Sequence, residues 1–174
     1  MIQSVNAFIE YFEGIHRRTV NFIRAVPSDR IDWAPKEGEF SCGDIVRHLA
    51  AAEKMFGGAA VKGHWAYSGH DRSLAGSLDE ATVHLEACHS EAMTALRGMD
   101  DAELPQPRPT LNGPPVKAWR LLMAMVEHEV HHRSQLATYL ALLGVEPPQI
   151  YGLGIEDVVA LSAGKKTWSP EETQ

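Results

Sequence analysis

The chain has 174 residues, 44% hydrophobic and 22% charged, with a formal net charge of -7. That is the length of one domain with one sizeable core, and the acidic balance argues against nucleic acid or an anionic membrane surface as partner. No apolar run approaches the ~18 residues of a membrane span and no signal-peptide apolar core opens the chain, so a cytoplasmic location is expected.

Over residues 2–26, Val5, Phe8, Ile9, Phe12, Ile15, Thr19, Phe22 and Ile23 recur at three- and four-residue steps, predicting an amphipathic helix that Pro27 ends. PSDRIDWAPKEGEFS follows as a loop, because its prolines and Gly38 forbid a long helix. A second helix opens at Ser41 with Asp44 at the capping-box spacing. Ile45, Leu49, Ala52 and Phe56 mark its inner face, and Gly57 and Gly58 are expected to stop it. Residues 57–76 then make a long Gly-rich connection carrying His64, Trp65, Tyr67 and His70. Connections of that length are uncommon in compact domains and often functional, so a cover over a pocket is one expectation.

A second capping box, Ser77 with Glu80, opens a third helix whose inner face holds Leu78, Ala81, Leu85, Cys88, Ala92 and Leu96. After the proline-rich loop PQPRPTLNGPP, a fourth helix runs over residues 115–143, with Gly144 and Pro147 placed to end it. A short apolar segment at 155–161 adds a little more helix, and residues 165–174 read as a loose polar tail. There is no strand alternation and no internal repeat. Cys42 and Cys88 stand far apart, which offers neither a disulfide framework nor a cysteine zinc knuckle. The fold class is all-α: a four-helix bundle over residues 1–164 with a short C-terminal helical segment.

Nine histidines are unusual for this length and call for metal binding or proton chemistry. Three of them stand in HEVHHRSQ, residues 128–135. At about 100° per residue, His128 and His132 lie about 40° apart on the fourth helix. The stripe of Leu121, Met125, Leu136, Tyr139 and Leu143 centres near 50° from His128, with His132 inside it and His128 at its edge, whereas Gln135 and His131 fall progressively outside, by roughly the same arithmetic. A lone inward histidine is most simply a core group bonded to a neighbour. A pair one turn apart can hold one metal ion, provided another helix supplies a third ligand. His48 lies about one turn after Ile45 on the second helix and supplies it. Three histidines from two helices make an open site with positions left for water or substrate. His16 and His89 also fall on or near apolar stripes; each is a fourth ligand, a support for a ligand, or a satisfied core histidine, with the last favoured. His64 and His70 are expected at the surface, as is His84.

HEVHH formally matches H-E-x-x-H, in which Glu129 would be the general base of a zinc protease. No histidine follows in RSQLATYLALLG, no later helix offers a ligand glutamate, and no edge strand would align a peptide. Glu129 falls at the flank of the stripe, where it would orient an imidazole or form a rim ion pair. A second apolar strip on the fourth helix, Met123, Val126, Val130, Ala137 and Ala141, is expected to pack on another helix of the chain or across a homodimer.

Two stretches together, HEVHHRSQLATYLALLGVEPP and the earlier DWAPKEGEFSCGDIVRHLAAAE, resemble the DinB/YfiT-like superfamily. Its members carry H-x-x-x-H-R-x-Q in helix four and a histidine in helix two after a W-x-P…S signature. The resemblance implies a four-helix bundle whose metal ligands are His48, His128 and His132, with Arg133 and Gln135 as supporting positions. Ser134 stands where the family usually has Gly, and Phe40 where Trp is frequent. The resemblance further implies a divalent metal such as nickel or zinc, frequent homodimers, and relatives that are thiol-dependent S-transferases or isomerases using low-molecular-weight thiols such as bacillithiol. The expected function is a metal-dependent enzyme that activates a thiol or water toward a small electrophilic substrate. The alternative is a non-catalytic metal-binding stress-response protein, which a fourth protein ligand would favour because structural zinc sites are usually closed. A metal-free bundle serving as an interaction module is the third possibility.

Overall fold

A computed structural model describes residues 2–163; the tail expected at 165–174 lies outside them. Helix α1 is Val5–Arg24, capped by the Ser4 hydroxyl, which accepts from the Ala7 N–H. Helix α2 is Cys42–Lys62, α3 is Leu78–Arg97, α4 is Ala118–Leu142, and a short α5 is Ile155–Ser162. Both capping boxes form: Ser41 with Asp44 opens α2, and Ser77 with Glu80 opens α3.

Helix α2 does not stop at Gly57 and Gly58. Glycine inside a helix costs about 1 kcal/mol relative to Ala, but a Cβ at Gly57 would lie 3.4 Å from the Ala92 Cβ of α3. The missing side chain lets the two helices approach closely, and that packing outweighs the propensity. The stop is Gly63, whose φ of 67° is the left-handed C-cap and whose N–H bonds the Ala59 carbonyl. The connection to α3 is therefore shorter than the sequence suggests. Between α3 and α4 a two-residue antiparallel ladder pairs Pro107–Arg108 (β1) with Val116–Lys117 (β2), too short to show as alternation.

Helix α2 packs on α3 and α4, and α1 packs on α4 and α3. The consecutive helices α1 and α2 thus lie across the bundle diagonal, and the chain between them crosses its end. Two backbone bonds pin that crossing to the start of α2: Cys42 N–H to Trp33 O and Gly43 N–H to Ile31 O.

The core is divided along the bundle axis. One apolar cluster gathers Val20, Ile23, Ile45, Leu49, Leu85, Leu136 and Leu140. The other gathers Phe8, Phe12, Ile15, Met93, Leu96, Leu122 and Met125. On each helix the residues between the two clusters include buried polar groups: His16 and Thr19 on α1, Glu53 on α2, His89 on α3, and Glu129, His132 and Arg133 on α4. A polar layer therefore crosses the middle of the bundle. Helix α5 buries none of its residues.

Candidate metal centre

His48 on α2 and His128 and His132 on α4 converge, with one ring nitrogen from each within 4.8 Å of the others. Their ring centroids form a nearly equilateral triangle, with sides of 4.8, 4.7 and 4.5 Å. The Nε2 atoms of His48 and His128 are 2.9 Å apart. Two nitrogens each about 2.1 Å from a shared ion stand roughly 2.9–3.4 Å apart, depending on the angle between them, so this spacing suits a common ion.

A neighbouring hydrogen bond sets the tautomer that metal binding needs at His132, and another is compatible with it at His48. His132 Nδ1 donates to Gln135 Oε1 (2.9 Å), leaving Nε2 with its lone pair. Gln135 in turn donates to the Tyr139 hydroxyl, and Tyr139 donates to the Phe40 carbonyl. Gln135, a supporting position by the resemblance, thus touches His132 directly. On the other side His48 Nδ1 lies 2.6 Å from the Tyr67 hydroxyl, which lies 2.8 Å from His70 Nδ1. With the proton on His48 Nδ1, its Nε2 faces the centre unprotonated, and Tyr67 donates onward to His70. Outer partners of this kind fix ring orientation and raise ligand basicity.

Electrostatics favour neutral imidazoles. Burial lowers His48 to a pKa of about 4, helped by the His132 and His70 charges. Burial likewise lowers His128 to about 3, with His132, His48 and His131 adding to the effect. His132 is also lowered, chiefly by burial, with the Gln135 hydrogen bond opposing. All three rings are neutral at pH 7, as a divalent cation requires. His48 and His128 remain half-buried, so the centre stays reachable from solvent. Phe40 stacks on His132 and Phe56 tilts against His128, bounding it with apolar rings.

Sequence reasoning missed Arg47. Its side chain is 1% exposed and donates to the carbonyls of His70 and Ala75 and to the Asp44 carboxylate. It thereby fastens the connection that carries Tyr67 and His70 to the helix that carries His48. The available signal was a charged residue amid the apolar positions of α2, next to a ligand candidate. Tyr67 was noted only as part of a cover, whereas its hydroxyl touches His48 directly. His64 is exposed as expected; His70 and His84 are only half-buried, and His70 is tied in through Tyr67.

Glu129 departs from its expected place. It is 1% exposed rather than at the rim. Burial pushes its carboxyl up to about 8, the Glu53 charge adding to this, while Thr19, His16 and Arg133 pull the other way. The groups that act on it are Glu53, Thr19, His16 and Arg133, none of them a histidine of the centre. His16 and His89 do not join the centre either. Both bond to Glu53, His16 Nδ1 at 2.9 Å and His89 Nδ1 at 2.7 Å. The outer strip of α4 is partly absorbed by the same chain: Val126 is buried, Met123 and Ala137 are half-buried, and Val130 and Ala141 are exposed.

A model of the DinB family matches residues 1–167. A crystal structure of a DinB-like protein from Bacillus subtilis superposes with a TM-score of 0.67 at 18% identity, covering 83% of this chain and 96% of that one. A DinB-like protein from Bacillus cereus gives a TM-score of 0.71 at 18% identity, covering 86% and 99%. At that identity the likeness establishes the fold. No curated protein matches the sequence.

Proposed function

The chain belongs to the DinB family, and from that premise we propose that it is a divalent-metal-dependent enzyme whose ion is held by His48, His128 and His132. The observation that carries this reading is the convergence of three imidazoles from two helices on one point. Nickel and zinc suit such a nitrogen donor set. A divalent ion bound by three neutral ligands keeps its full charge and supplies Lewis acidity, making a thiol or water it binds more acidic. The proposed chemistry is thiol-dependent S-transfer, with a low-molecular-weight thiol such as bacillithiol, or hydrolysis, on a small electrophilic substrate in the cytoplasm.

The protein's own residues have definable parts. Gln135 and Tyr67 hold the protons of His132 Nδ1 and His48 Nδ1, so that the lone pairs face inward. Burial raises the Tyr67 phenol above its ordinary pKa, so it keeps its proton at neutral pH. Phe40 and Phe56 limit water at the centre. The non-catalytic alternative needs a closed site, and His16 and His89, the candidate fourth ligands, are turned to Glu53 instead. A homodimer is proposed through the uncovered part of the α4 strip around Val130.

Elemental analysis of the purified chain and zinc and nickel titration of His48→Ala test the assignment. Loss of one of three protein bonds should weaken binding by well over the roughly 10- to 100-fold that follows loss of an outer partner. Binding at full affinity by His48→Ala would remove His48 from the ligand set and the reading with it.

A further inference from the structure

We propose that His16, Glu53 and His89 form a second divalent-metal site, of zinc-type nitrogen–oxygen chemistry, that ties α1, α2 and α3 together inside the bundle. It is independent of the three-histidine centre. Glu53 follows His48 by five residues, about 7.5 Å along α2 and about 140° around it.

All three side chains are buried, at 4%, 1% and 6% exposure, and their donor atoms lie within 4.8 Å of one another. Each comes from a different helix. Both Glu53 oxygens face the cluster, Oε1 toward His16 and Oε2 toward His89. A bidentate carboxylate with two imidazoles gives four bonds, the number that closes a structural zinc site.

The outward nitrogens carry the second observation. His16 Nε2 lies 3.3 Å from Glu86 Oε2, and His89 Nε2 lies 3.2 Å from Glu13 Oε2. A metal-binding histidine almost always turns its other N–H to a carboxylate or carbonyl, which presents the first nitrogen's lone pair to the ion. His16 has that arrangement, with Nδ1 inward, whereas His89 Nε2 lies near Glu13 without a hydrogen bond to it.

Proton counting adds to the case. Glu53 accepts from Nδ1 of both rings, and His16 Nε2 also faces the Glu86 carboxylate, so His16 carries N–H at both nitrogens without a cation. One divalent ion entering as the Nδ1 proton of His16 leaves, and as the proton of His89 moves from Nδ1 to Nε2 beside Glu13, gives both rings an inward lone pair. The rings, stacked 3.6 Å apart at 18°, must splay to share one ion. Consistent with a proton-loaded His16, its pKa is raised to about 9: burial opposes its charge, but Glu53 and Glu86 outweigh it.

The test uses the full chain with the first centre removed, His128→Gln/His132→Gln, titrated with zinc by calorimetry in buffers of different ionisation enthalpy. The expected result is one zinc per chain with about one proton released, and at least a 100-fold loss of affinity when His89→Gln is added. Glutamine keeps a donor toward Glu53, which protects the fold; circular dichroism verifies it, and His16→Gln serves if His89→Gln unfolds. No zinc bound by the double variant overturns the proposal and leaves a proton-only network. Zinc that survives the added glutamine, or binds with no proton release, overturns it too. The unmodified chain should bind two zinc ions, so failure of either site is recognised separately.

Discussion

Glu129→Gln separates the bundle from the protease that its HEVHH motif mimics. Glu129 is 1% exposed, and its carboxyl is pushed from an ordinary 4.5 up to about 8, first by burial and then by Glu53. The native state therefore holds a proton on this group that the unfolded chain gives up above pH 4.5. A pKa raised by folding contributes stability that is complete below the unfolded value and is lost as pH rises through the folded one. The loss runs between about pH 4.5 and 8 at about 1.4 kcal/mol per pH unit, on the order of 5 kcal/mol at most. Glutamine matches the protonated carboxyl in shape and does not titrate. Urea unfolding of both proteins with chelator present, at intervals from pH 5 to 8, should show unmodified stability declining relative to the variant by about 1 kcal/mol or more per unit. The difference in slope is the decisive quantity, because any constant cost of the amide cancels from it. Parallel pH profiles would refute the buried, protonated state of Glu129. The same variant should bind metal at the three-histidine centre with unchanged affinity; loss of that binding would return Glu129 to the metal site.

The remaining expectations follow from individual contacts. Because burial lowers His48 to about 4 and His128 to about 3, protons compete for these nitrogens only well below the ordinary histidine value; metal should stay bound down to about pH 5, and half-release near the unperturbed ~6.5 would contradict the shifts. Tyr67→Phe removes the 2.6 Å contact to His48 and should weaken zinc binding roughly 10- to 100-fold while leaving the unfolding midpoint unchanged. Gly63→Ala forces a side chain into a left-handed φ and puts its Cβ 2.9 Å from Pro109 Cδ, so chemical denaturation should register a loss of about 2 kcal/mol. Light scattering should give a dimer that Val130→Asp converts to a monomer with metal binding intact; a monomeric unmodified chain would end the interface proposal.

The helices themselves were written locally. Capping boxes at Ser41 and Ser77, the proline-rich loops and the three- and four-residue spacing of apolar side chains each act within a few residues, so their consequences can be read along the chain. The inward facing of His48, His128 and His132 followed for the same reason, since helix geometry converts spacing into direction. What the sequence alone could not decide depended on which helix lies beside which. Gly57 reads as a stop until α3 presents Ala92 against it. Arg47 draws no notice along the chain until the Tyr67–Ala75 connection supplies carbonyls for it. Glu129 sits at the edge of its own helix's stripe, yet α1 and α2 close over it and change its protonation. His16 and His89 read best as satisfied core histidines, but the partner that satisfies them, Glu53, is known only once α1 and α3 pack on α2. A single helix's periodicity reports only its own face, and burial, pKa and partnership arise from three helices at once, which only the packed bundle brings together.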